Sequence, residues 1–95
     1  SISAGLDYPG VSPILANFID NGRMSIESVN DDEALEGFDI LAKTEGILAA
    51  LESSHVVYQA IQEAMKRSKK QNIIVCLSGR GDKDIEQINE HMNLV

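Results

Sequence analysis

The chain has 95 residues and a mass of 10.3 kDa, which suits one small domain or part of a larger one and is too little for two domains. Its 15 acidic and 8 basic residues give a net charge of −7, which argues against binding to nucleic acid or to anionic lipid, since both need a basic face. The single cysteine excludes an internal disulfide framework and a cysteine-based zinc cluster, and it favours the reducing cytoplasm.

The N-terminal third predicts loops and two short elements. The chain begins at Ser1 without a methionine, which we interpret as the start of a segment from a longer protein. Residues 1–13 contain two glycines and two prolines, a composition typical of a loop. Residues 14–19 carry apolar side chains at helical spacing, and residues 24–29 alternate imperfectly between apolar and polar. These two patterns predict a short helix and a short strand.

The middle of the chain carries two helical patterns. Asn30 is followed three residues later by Glu33, whose side chain can reach back to the amide of the capping residue. A helix is therefore predicted to start after Asn30 and to stop at Gly46 in a left-handed conformation. The apolar spacing that follows predicts a second helix, with Ser53 or Ser54 as its cap.

The C-terminal third contains the pattern that decides the predicted fold class. Residues 73–77 form a continuous apolar run of β-forming side chains, typical of a parallel strand buried on both faces, and this interpretation makes Cys76 a buried hydrophobe. The loop 78–84 follows, and a last short helix is predicted from Ile85 onward. This order of elements indicates an α/β fold, in which ligands bind at the carboxyl ends of strands.

The loop 78–84 is therefore the most informative candidate site. Its two glycines, Gly79 and Gly81, lie between the predicted strand and the predicted helix. Exposed amides in such a loop could hold an anion, with the Ser78 hydroxyl as a further ligand. The spacing is neither that of a Walker A motif nor that of a dinucleotide fingerprint. The alternative is a tight turn in which both glycines have positive φ angles.

Three segments carry a resemblance to a known family. They are Ser-Ala-Gly-Leu-Asp-Tyr-Pro-Gly-Val at 3–11, Ala-Leu-Glu-Ser-Ser-His at 50–55, and Leu-Ser-Gly-Arg-Gly-Asp-Lys-Asp at 77–84. In this order and at this spacing they resemble the C-terminal part of the tryptophan synthase β subunit family, and the likeness covers essentially the whole chain. Cys76 and Ala49 depart from the family, which usually has asparagine and proline there.

The resemblance implies both a fold and an activity. Residues 1–95 are expected to be the C-terminal segment of the cofactor-binding domain, within the three-layer α/β/α fold shared with cysteine and threonine synthases. The implied enzyme is a carbon–oxygen lyase that condenses L-serine with indole to L-tryptophan by β-replacement with pyridoxal phosphate. The implied partners are the tryptophan synthase α subunit, which delivers indole through a tunnel, and a second β subunit.

The resemblance also assigns cofactor contacts. Ser78 matches the serine that hydrogen-bonds the pyridine nitrogen of the cofactor, and Gly79 shapes the loop around it. A hydroxyl at that place leaves the ring neutral, which favours elimination and replacement over transamination. Glu52 matches a glutamate near the ring. The family's Schiff-base lysine, phosphate-binding loop and general base have no counterpart here, so the segment alone is expected to be inactive and to self-associate.

Substrate and cation contacts are assigned to the first loop. Asp7 matches an aspartate that contacts the substrate, and Tyr8 and Gly10 match positions whose backbone carbonyls help to bind a monovalent cation. Two alternative functions stay open. One is a segment of a related pyridoxal-phosphate serine or threonine lyase, and the other is a non-enzymatic α/β module that binds an anion or a protein partner through the loop 78–84.

Overall fold

The computed structural model describes residues 1–8 and 10–92. Within these residues the chain forms α-helices, short 3₁₀ turns and irregular segments, and no β-strand. The helices are α1 (Pro13–Asp20), α2 (Asp31–Glu45), α3 (Leu51–Met65) and α4 (Ile85–Met92), and the 3₁₀ turns are Ala4–Leu6 and Asp82–Asp84.

The second helix begins and ends as the sequence predicts. The Asn30 side chain accepts a hydrogen bond from the Glu33 amide at 2.9 Å, and the Glu33 carboxylate accepts one from the Asn30 amide at 3.0 Å. These two bonds complete the capping box. Gly46 ends α2 in the left-handed conformation, with a φ of 68°. The helices predicted over 14–19 and from Ile85 onward are confirmed as α1 and α4.

A small core joins α2, α3 and α4. Leu35 and Phe38 of α2 pack with Leu51 of α3 and Ile88 of α4, and each of these residues is at most 7% exposed. Burying an aliphatic or aromatic side chain of this size contributes about 1.5–3 kcal/mol relative to leaving it in water. The main packing contact is between α2 and α3, whereas α1 buries no residue. The α2–α3 pair is therefore the stable centre of the molecule.

The predicted three-layer α/β fold is wrong for this chain. The described residues are helical or irregular, and neither the strand predicted at 73–77 nor the one predicted at 24–29 is present. A strand is stable only where a neighbouring strand completes its ladder of backbone hydrogen bonds. An apolar run of β-forming residues indicates that the segment favours burial. It does not indicate whether a neighbouring strand is present to pair with it. Here the alternate residues of the run face the helices α2 and α3 across a groove, and Ile73 and Leu77 stay 40% and 38% exposed.

The apolar run 73–77 has two unlike faces. Its alternate residues Ile73, Val75 and Leu77 line a groove of about 360 Å³ with side chains of α2 and α3. The residues between them point away from the groove lining, and Ile74 is 95% exposed. Cys76 is also exposed, so its predicted burial is wrong. The alternation of the two faces is therefore present, but even the face that lines the groove is only partly buried.

The molecule is flat and open. Its principal extents are 47 × 37 × 19 Å, and its radius of gyration is 14.5 Å, compared with about 12 Å for a compact domain of this length. Its accessible surface is 7088 Å², compared with about 5,400 Å² for a compact monomer of this mass. Across the described residues, none of the helices combines the length and the apolar character needed to cross a membrane.

Candidate functional site

Segments from three parts of the sequence meet at the N-terminal end of α3. The amide of Gly5, from the first loop, donates a hydrogen bond to Glu52 Oε1 at 3.1 Å. The hydroxyl of Ser53 donates to the backbone carbonyl of Ser78, from the loop 78–84, at 2.7 Å. The segments 3–11 and 77–84 are thus hydrogen-bonded to two successive residues of the segment 50–55, Glu52 and Ser53.

Backbone contacts fix the loop 78–84 against the start of α3. The Gly81 amide donates to the Leu48 carbonyl at 2.9 Å, and a Cβ at Gly81 would overlap the carbonyl of Ala49, so that only glycine fits there. Gly79 has a φ of 72°, whereas Gly81 has a φ of −91°. The turn predicted to contain two positive φ angles therefore contains one, at Gly79. Gly81 is needed for a different reason, because a side chain there would collide with the backbone of Ala49.

The first turn of α3 is capped from a distance. Ala50 occupies the N-cap position and offers no side-chain cap, and the Leu51 amide donates instead to Asp84 Oδ2 at 3.0 Å. The prediction that Ser53 or Ser54 caps this helix is wrong, because both lie inside it, and the Ser54 hydroxyl donates to the Ala50 carbonyl at 2.9 Å. A cap that comes from 33 residues away leaves no local pattern in the sequence.

A charged cluster completes this end of the helix. Lys83 Nζ lies 3.3 Å from Glu52 Oε2 and 2.8 Å from Asp84 Oδ2. Hydrogen bonds from its own amide and from Gly5, together with Lys83, hold the pKa of Glu52 below its usual value. The hydrogen bond to Asp84 outweighs desolvation and, with Glu52, raises the pKa of Lys83. A protonated, ion-paired lysine is a poor nucleophile, so Lys83 is unsuited to attack a carbonyl group.

Within the described residues, the Ser78 hydroxyl has one weak hydrogen-bond partner, the Ser53 hydroxyl. Ser53 has a single hydroxyl proton and donates it to the Ser78 carbonyl, so toward the Ser78 hydroxyl it can act only as an acceptor. The two Oγ atoms lie 3.5 Å apart, which is too long for a strong hydrogen bond. Ser78 is also exposed. Its hydroxyl can therefore donate to a ligand, and an unprotonated pyridine nitrogen is a suitable acceptor.

The remaining predicted site residues lie in the exposed first loop. Asp7 Oδ1 is 3.5 Å from the amino group of Ser1, and the described hydrogen bonds of Asp7 include none to α3. Tyr8 is 80% exposed and Gly10 is also exposed, while Pro9 between them lies outside the described residues. Asp7 follows Gly5 by two residues, and its described contacts are to Ser1 and Ala4, so the described contacts do not bring its carboxylate to Glu52 or Ser78.

A cleft borders the same end of α3 and was not predicted from the sequence. Its volume is about 540 Å³, and its lining includes Glu52, His55 and Leu6. The Nδ1 atom of His55 lies 2.9 Å from the Leu51 carbonyl, which can only accept, so Nδ1 carries the proton in this contact. Ser78 does not line the cleft. The cleft and the Ser78 hydroxyl are therefore separate features of this end of the helix.

The residues present fit only one of the contacts that the resemblance implies for pyridoxal phosphate. Ser78 offers a hydroxyl for the ring nitrogen, but Lys83, the lysine of this loop, is ion-paired and does not fit the role of the lysine that holds the cofactor. No cluster of three His, Cys, Asp or Glu side chains suited to a metal ion occurs in 1–8 and 10–92. No protein-family model matches the chain.

Proposed function

We propose that the chain is the C-terminal part of a tryptophan synthase β chain and forms one wall of its pyridoxal-phosphate site. The reaction is the condensation of L-serine with indole to L-tryptophan. The observation that carries the proposal is the meeting of the three resembling segments at α3, where Gly5 binds Glu52 and Ser53 binds Ser78. Separated segments that resemble one family's site, and that contact one another in the fold, support a shared site.

The proposed roles follow from the hydrogen bonds. Pyridoxal phosphate, when bound, supplies the electron sink that β-elimination and replacement require. Ser78 would donate a hydrogen bond from its hydroxyl to the ring nitrogen, and a hydroxyl is too weak an acid to protonate the ring, which would stay uncharged. Glu52 is ionised and bound to Gly5 and Lys83, so it holds the first loop against α3 and has no proton to transfer. Asp7 reaches the substrate from that tethered loop.

The remaining cofactor contacts belong to other parts of the proposed enzyme. One neutral hydrogen bond from Ser78 contributes about 0.5–1.5 kcal/mol net, which is too little to hold a small ligand against its loss of translational freedom. The 95-residue chain alone is therefore expected to be inactive. The proposal includes a cytoplasmic location, an α subunit and a second β subunit as partners, and a monovalent cation at the carbonyls of Tyr8 and Gly10.

Replacement of Ser78 by aspartate in the full-length protein that contains this chain tests the proposal. A carboxylate would keep the ring protonated, so we expect Ser78→Asp to bind the cofactor and to make tryptophan well below the wild-type rate. The matched control is Ser68→Asp, which places the same charge on an exposed serine beyond α3. Unchanged turnover in Ser78→Asp would show that Ser78 does not contact the ring nitrogen of the cofactor. A wild-type protein that binds no pyridoxal phosphate would favour the non-enzymatic module.

A further inference from the structure

We infer that Ser53 is the positioning residue for Ser78, an inference that rests on the proposed role of Ser78 in cofactor binding. Ser53 is 6% exposed and lies in the first turn of α3, which is anchored in the core through Leu51. Its hydroxyl reaches out of the helix to the Ser78 carbonyl at 2.7 Å. An exposed loop residue is thereby held by a buried group on a rigid element.

The adjacent serine shows that this contact is specific to Ser53. Serine in a helix commonly returns its proton to the carbonyl four residues earlier, and Ser54 does so with Ala50 at 2.9 Å. Ser53 instead donates to a carbonyl 25 residues further along the chain. Both serines are buried and they are neighbours on one turn, so they differ mainly in where the hydroxyl proton goes.

The direction of this hydrogen bond decides what Ser78 can do. Because Ser53 donates to the carbonyl, it can only accept from the Ser78 hydroxyl, and that contact is weak at 3.5 Å, so a ligand can replace it. Without the Ser53 hydroxyl, the Ser78 carbonyl loses this donor, and the loop keeps only the links of Lys83 and Asp84 to α3, at its far end. The Ser78 hydroxyl would then sample more orientations, and a donor held less precisely contributes less to the reaction.

Three variants separate positioning from folding: Ser53→Ala, Ser53→Thr, which keeps the hydroxyl, and Ser54→Ala, which removes an equally buried one. In the 95-residue chain, Ser53→Ala is expected to speed amide hydrogen exchange over residues 79–81 by about three- to tenfold. This factor corresponds to the net free energy of one hydrogen bond. Ser54→Ala is expected to leave that exchange within twofold of wild type, as is Ser53→Thr. Equal exchange in the two alanine variants would overturn the inference.

The second measurement uses the full-length enzyme. Ser53→Ala is expected to lower kcat for tryptophan formation by about three- to tenfold, to leave KM for serine within twofold, and to change the absorbance of the bound cofactor. Ser53→Thr should restore kcat. An active wild type in which both alanine variants have equal kcat and equal spectra would overturn the positioning role alone. A wild type without cofactor or tryptophan synthesis would overturn the proposed function, and this inference with it.

Discussion

The carboxylate of Glu52 connects parts of the chain that lie far apart in sequence. Its Oε1 accepts the amide of Gly5, and its Oε2 pairs with Lys83. It also lies in the first turn of α3, where the helix dipole favours a negative charge. All of these contacts favour the ionised form, and the pKa of Glu52 lies below its ordinary value of 4.5. The contact between the first loop and α3 therefore depends on pH.

Acidification should weaken the contacts of the Glu52 carboxylate, and the variant Glu52→Gln tests this expectation. Because the pKa of Glu52 is lower in the folded chain than in the unfolded chain, its stabilisation is complete above pH 4.5 and is lost as the pH falls through the folded pKa. We expect Glu52→Gln to lose less stability than wild type between about pH 6 and about pH 3. Urea unfolding followed by circular dichroism at both pH values measures the difference.

The control for this experiment is Glu86→Gln, which removes an exposed carboxylate from α4. It should keep the pH dependence of the wild type, because other carboxylates that are hydrogen-bonded in the fold, such as Asp31, are unchanged. An identical loss of stability on acidification in Glu52→Gln and wild type would show that Glu52 does not link folding to pH.

The two long helices show which features of the fold the sequence could predict. The cap of α2 is local, since Asn30 and Glu33 lie three residues apart, and both ends of that helix were predicted correctly. The cap of α3 comes from Asp84, and neither this contact nor the bond from Ser53 to Ser78 has a local pattern. The resemblance singled out the three segments that meet at α3. Their contacts are tertiary and had to be seen in the structure.

The strand predicted at 73–77 is absent for a related reason, because its formation also depends on a tertiary contact. Its alternation of residues that line the apolar groove with exposed residues is the periodicity of a strand. Local composition specifies such a face, but a sheet also needs a neighbouring strand, which a sequence pattern does not supply. Within the described chain, the helices α2 and α3 line an apolar groove together with this face and leave it partly exposed.

Removal of the remote cap should destabilise α3 specifically. Asp84→Ala leaves the Leu51 amide without its acceptor, and loss of an N-cap costs about 0.5–2 kcal/mol in the free energy of unfolding. Asp82→Ala is the matched control, because Asp82 lies in the same 3₁₀ turn and pairs with Arg80 at the surface. Urea denaturation gives both values. A loss for Asp84→Ala no larger than that for Asp82→Ala would contradict the capping role.

At the level of the whole molecule, the notable quantity is exposed apolar surface. The chain exposes about a third more surface than a compact monomer of its mass. Large apolar side chains contribute to it, among them Ile74 at 95% exposure and Ile14 at 68%. Exposed apolar surface promotes association, and it agrees with the proposal that further protein normally covers this chain.

Self-association of the 95-residue chain should depend on the run 73–77. We expect the wild type to form larger species at concentrations on the order of 100 μM, because Ile74 is almost fully exposed beside an apolar groove. Ile74→Lys should reduce this association while preserving the helical circular dichroism spectrum. Light scattering across a concentration series measures the effect. Equal scattering by Ile74→Lys and by a control, Asn72→Lys, would show that this residue is not involved.

The hydrogen bonds at the end of α3 also determine when the site forms during folding. The helices α2 and α3 are joined only by residues 46–50, so their packing closes a short loop. The bonds from Gly5 to Glu52 and from Ser53 to Ser78 close loops of 47 and 25 residues. Contacts of such separation are expected to form after the local pair, because closing a longer loop costs more chain entropy. Substitutions at the proposed site should therefore speed unfolding more than they slow folding.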